Sequence, residues 1–135
     1  MYLRRAVFAL ICLMMPLSLP AGEPGKVREL DTKTLKIDFA KGRITAPKVI
    51  TTAEELDKAI PDAEAIKKQV DFGKEKLVLF AWGGSGGDRL SVKLDTEGKV
   101  SAVFTYRLGL TRDFRRHVHL YAIPKGAEVK IEQVK

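Results

Sequence analysis

From Lys76 to the C-terminus the apolar residues recur at every second position, and that period commits this half of the chain to β-strands. KLVLFAW (76–82) is an apolar strand bounded by charge, a pattern expected for burial on both faces. RLSVKL (89–94) sets Leu90, Val92 and Leu94 against Arg89, Ser91 and Lys93. VSAVFTY (100–106) gathers Val100, Ala102, Phe104 and Tyr106 on one face, and HVHLYAI (117–123) follows a basic stretch. DTEGK (95–99) is a hairpin turn with Gly98 at its left-handed position, and PKGAEVKIEQV (124–134) gives a turn and a last strand.

The preceding segment has a different period. In TTAEELDKAIP (51–61), Thr51 with Glu54 or Thr52 with Glu55 offers the spacing that satisfies free N–H groups at a helix start, and Leu56 and Ile60 make one side apolar. DAEAIKKQVDF (62–72) places Ala63, Ile66 and Val70 on one side as a second helix or an extension of the first. LKIDF (35–39) alternates, and RITAPKVI (43–50) is extended around Pro47, as at a sheet edge or a bend. The fold class that follows is α+β: an antiparallel β-sheet or small β-sandwich with one or two N-terminal helices.

Residues 1–21 have another role. MYLRR is basic, AVFALICLMM (6–15) is an unbroken apolar run, and PLSLPAG (16–22) breaks a helix with small residues, so the sequence predicts a signal peptide cleaved near Ala21. Such a run rises about 15 Å as a helix, short of the roughly 20 residues that span a bilayer, so no membrane span is expected after cleavage. The expected location is periplasmic or secreted. Residues 22–34 read as a polar leader and 35–135 as a single globular β-rich domain.

Cys12, the only cysteine, lies in the apolar run, which leaves the exported part without disulfides, catalytic thiols or thiolate metal ligands. The leader also removes two arginines and no acid, so the remaining 114 residues carry 22 Lys+Arg against 17 Asp+Glu, a formal charge of +5. A chain of that length hides about 65% of its unfolded surface, enough for one core. The positive balance favours an acidic ligand or an envelope or extracellular protein, and export argues against intracellular nucleic acid.

Two stretches carry the candidate chemistry. In FAWGGSGGDRL (80–90), Gly83, Ser85 and Gly87 spell the G-x-S-x-G of a serine nucleophile. That motif requires a helix after the serine, whereas DRLSVKL alternates as a strand, so Ser85 is expected in an inter-strand glycine loop. A phosphate-cradling loop would need lysine and serine or threonine where Asp88 and Arg89 stand. Trp82 ends the apolar strand as a core or rim anchor. In YRLGLTRDFRR (106–116), Arg107, Arg112, Arg115 and Arg116 form a basic loop suited to carboxylates and phosphates. His117 and His119 share one face of a strand, a spacing that suits a metal pair. With no further histidine to complete a site, they are expected instead in a solvent-facing row with Tyr121.

VDFGKE (70–75), the glycines Gly86 and Gly87, and the strand ending in Ile123, Pro124 and Lys125 together resemble a small exported β-rich domain of bacterial secreted proteins. That domain is similar to the C-terminal domain of a protease-stabilising lipoprotein family. The likeness runs from Val49 to Lys130, although Asp88 stands where that family has an aromatic residue. It implies a β-rich, non-catalytic domain that contacts other proteins, and it supplies no catalytic residue and no cofactor. The expected function is therefore an exported non-enzymatic binding domain, with binding residues among Trp82, Ser85, Asp88, Arg89, Arg107, Arg112, Arg115 and Arg116. The alternative is a small exported hydrolase or metal-dependent enzyme using Ser85 or the His117/His119 pair.

Overall fold

Among the described residues, seven strands and two short helices form in the order β1 (Arg28–Leu30), β2 (Lys48–Ile50), α1 (Ala53–Ala59), α2 (Glu64–Lys67), β3 (Glu75–Ser85), β4 (Arg89–Asp95), β5 (Ser101–Arg107), β6 (Phe114–Pro124) and β7 (Glu128–Gln133). The structure, a computed structural model, describes residues 26–37 and 43–135. The expected signal peptide, the start of the polar leader and the end of LKIDF lie outside the described residues. Within them, no helix is long and apolar enough to cross a membrane.

The mixed α+β class holds, with two corrections. The helices lie between β2 and β3, because β1 forms inside the stretch read as leader and pairs with β6 through Arg28↔Ala122 and Leu30↔Leu120. The strands form two sheets, β1-β6-β3-β2 and β4-β5-β7, and in the second β7 runs parallel to β5. The reason is topological. Two chain reversals separate β5 from β7, and the intervening strand β6 lies in the other sheet, where it does the work that a crossover helix does in other parallel pairs.

α1 starts where the sequence places it. Thr52 is the N-cap, its hydroxyl accepting from the Glu55 N–H, while the Glu55 carboxylate accepts from the Thr51 N–H at 2.9 Å. Leu56, Ile60, Ala63, Ile66 and Val70 then bury one apolar side of the helical segment. Leu35 and Ile37, with no regular structure, pack against the same cluster.

β3 runs through the centre of the molecule, which is why KLVLFAW needs apolar residues on both faces. Leu77 and Leu79 face the helices together with Leu120 and Ala122, whereas Val78, Phe80 and Trp82 meet Ala102 and Phe104 of the second sheet. Phe80 and Phe104 are fully buried with ring centroids 4.8 Å apart, each contributing about 1.5–3 kcal/mol through burial. The buried carboxylate of Glu75 pairs with Arg28 at 3.2 Å and ties the short strand β1 to the start of β3.

Candidate functional site

The β3–β6 register places Trp82 opposite His117, Phe80 opposite His119 and Val78 opposite Tyr121. Alternation then puts both histidines and Tyr121 on the face that carries Trp82. This corrects the expected solvent-facing row. Tyr121 is buried between the sheets, where burial and then the nearby Glu29 push its hydroxyl up to about 12. His117 stacks on Trp82 with centroids 4.7 Å apart and His119 stacks at 5.5 Å. One ring nitrogen of each is engaged: His117 Nε2 lies 2.7 Å from the Ser85 carbonyl oxygen and His119 Nδ1 2.7 Å from a Glu29 carboxylate oxygen. Among the described residues, no group of three or more His, Cys, Asp or Glu is arranged to hold a metal ion.

Beyond Trp82 the β3 strand continues through Gly83 and Gly84 to Ser85, so the glycine loop of the sequence shrinks to residues 86–88. Gly83 admits the Phe114 ring, and Gly84 admits the Asp88 carboxylate, each in the space a Cβ would fill. Asp88 is buried. One of its oxygens accepts from the Trp82 indole N–H at 3.1 Å and the other from the Gly109 N–H at 2.7 Å. His117 Nε2 stands 4.0 Å from the same carboxylate.

These bonds bring the two candidate stretches together. The Gly86 N–H donates to Asp113 at 3.2 Å, the Gly87 N–H to Thr111 Oγ1 at 3.2 Å, and the Ser85 and Thr111 hydroxyls are hydrogen-bonded to each other. The Thr111 hydroxyl, then Arg115 and the Gly86 N–H, hold the Asp113 carboxyl down at about 2. The Ser85 hydroxyl also accepts from the Gly87 N–H at 3.1 Å, so it fastens a turn that leads into strand β4 rather than into a helix. The neighbouring imidazole is bonded to the Ser85 carbonyl oxygen and not to this hydroxyl.

The arginines do not form one loop cluster. Arg107 ends β5, Arg112 lies in the connection, and Arg115 and Arg116 belong to β6, opposite Gly84 and Gly83. As neighbours on a strand they point to opposite faces. Arg115 pairs with Asp113 at 3.1 Å, and Arg89 donates from Nη1 to the Gly86 and Asp88 carbonyls at 3.1 and 3.0 Å. A shallow cavity of about 460 Å³ opens beside the junction, lined in part by Arg43, Trp82, Gly84, Asp88, Leu108 and Gly109.

Sequence reasoning missed Gly109 and Thr111 on the receiving side of the junction, and Leu108 and Leu110, which it carries outward. Leu108, Leu110 and Phe114 are 51%, 98% and 69% exposed. The signal was present in the apolar L-G-L embedded in a basic stretch. Compared with protein families, curated proteins and solved structures, the chain matches none.

Proposed function

We propose that the chain is an exported, non-enzymatic protein-interaction domain that presents the ridge of residues 108–114 to an envelope or extracellular partner. One observation carries this reading: three large apolar side chains stand exposed on residues 108–114, a segment tied down through the Gly109 N–H and the side chains of Thr111 and Asp113. Singly exposed apolar residues are ordinary. A group of them within seven residues, with arginines at its rim, has the composition of a binding patch. Fixing the loop before contact lowers the ordering entropy lost on binding.

The complementary partner surface is an apolar pocket edged by carboxylates, in keeping with the formal charge of +5 on residues 22–135. The resemblance to exported β-rich domains that contact other proteins supports the same reading. The test places a photo-crosslinking residue at Leu110 of the full chain in producing cells, with a second at Lys93 on the outward side of β4. A discrete protein adduct from position 110 and none from position 93 is the expected result. No adduct, or the same adducts from both positions, overturns the reading.

A further inference from the structure

On the outer face of the three-stranded sheet, Arg89 is the direct cross-strand partner of Arg107, and Ser91 is the partner of Thr105. Directly opposed residues in an antiparallel pair share a face, and alternation keeps all four on the face turned away from Phe104 and the inter-sheet core. Like charges in this position repel one another and weaken the sheet. Neither arginine has a carboxylate partner among the described residues. Glu132, beside Thr105 on β7, forms no ion pair with either arginine. The four side chains and Val134 line a cavity of about 220 Å³.

The donors are arranged for an anion. Arg89 uses Nη1 on the Gly86 and Asp88 carbonyls, which holds the side chain in place and leaves Nε and Nη2 unassigned. Arg107 has all of its guanidinium donors unassigned, and Thr105, two residues along the strand on the same face, brings its hydroxyl beside the arginine pair, while the Ser91 hydroxyl donates to the Thr105 carbonyl at 3.4 Å. The five N–H groups of Arg107, the Nε and Nη2 N–H groups of Arg89 and the Thr105 hydroxyl offer about nine donors. A carboxylate presents roughly four lone-pair sites on two oxygens, whereas a terminal phosphate presents three strong acceptor oxygens and close to two negative charges. We propose that this face carries a site for a terminal phosphate monoester, bridged between Arg89 and Arg107 and hydrogen-bonded by Thr105.

The test titrates the full chain with inorganic phosphate at constant ionic strength, following the amide shifts of Ser91 and Thr105. Arg107→Gln, Thr105→Val and Lys99→Gln are compared, the last removing a charge at the far end of the β4–β5 hairpin. Saturable shifts that weaken at least tenfold in Arg107→Gln, weaken in Thr105→Val and persist in Lys99→Gln are expected. Shifts that never saturate, or that respond equally to the loss of Arg107 and Lys99, overturn the site. A second arm sediments the chain with vesicles of phosphatidylcholine with or without phosphatidic acid. Arg107-dependent sedimentation only with phosphatidic acid identifies a lipid headgroup, and phosphate saturation without sedimentation identifies a soluble monoester. Either result upholds the site. Vesicle binding that ignores Arg107 overturns it.

Discussion

The Asp88 carboxylate is bonded to the Gly109 N–H at 2.7 Å, and this contact joins two segments that are 21 residues apart. The other carboxylate oxygen holds the Trp82 indole, so one side chain fixes the end of β3 and the base of the exposed ridge together. Asp88→Ala leaves two donors at a buried position unpaired and is expected to cost about 2–4 kcal/mol. Trp82 is the only tryptophan, so urea unfolding followed by its fluorescence reads both the loss of stability and the altered indole environment.

Gly109 tests the same junction sterically. A Cβ built there stands 2.5 Å from Gly87 Cα and 2.7 Å from the Asp88 nitrogen, backbone atoms that cannot turn aside as a side chain can. Gly109→Ala is expected to push the segments apart at about 1–3 kcal/mol, with faster hydrogen exchange at residue 109. Gly126→Ala, whose Cβ would meet nothing within 4 Å, is the matched control and stays near neutral.

Ser85 separates a structural hydroxyl from a chemical one. It accepts from the Gly87 N–H and bonds to the Thr111 hydroxyl, so Ser85→Ala should cost about 1 kcal/mol in thermal unfolding. Thr111→Val should cost a similar amount. The double variant should cost less than the two losses summed, because both remove the same bond.

Local chemistry made much of this readable in advance. The period of two marks the long strands, and Thr52 with Glu55 marks the helix start, because these signals depend on neighbours in sequence. β1 is a three-residue strand, too short to display a period. The parallel β5–β7 pair depends on which sheet β6 joins, a choice made by contacts far apart in sequence. The alternation of His117, His119 and Tyr121 shows that they share a face, but both faces of β6 are covered, so it could not show which layer they meet. The docking of Gly109 on Gly87 is a backbone approach, and no side-chain pattern reports it.

Asp113 gives the junction a pH dependence. Its carboxyl falls from an ordinary 3.8 to about 2 on folding, through the Thr111 hydroxyl first, then Arg115 and the Gly86 N–H. A depressed folded value means that the ionised form is the one the fold favours. Its contribution is complete above about pH 4 and is lost as pH falls toward 2. The Gly86 amide shift should titrate in that window, and Asp113→Asn should abolish the titration.

Leu110 decides whether the ridge is a binding surface or ordinary exposed side chain. At 98% exposure it contributes nothing to the core, so Leu110→Asp should leave the unfolding midpoint within about 0.5 kcal/mol of the native chain. An apolar anchor entering a partner pocket behaves differently. The buried aspartate would be unpaired there, and capture should weaken by more than about tenfold, equivalent to about 1.4 kcal/mol or more. The same substitution therefore moves one measurement and leaves the other still. A loss of stability would mean that Leu110 packs against its own chain, and unchanged capture would place the contact surface elsewhere.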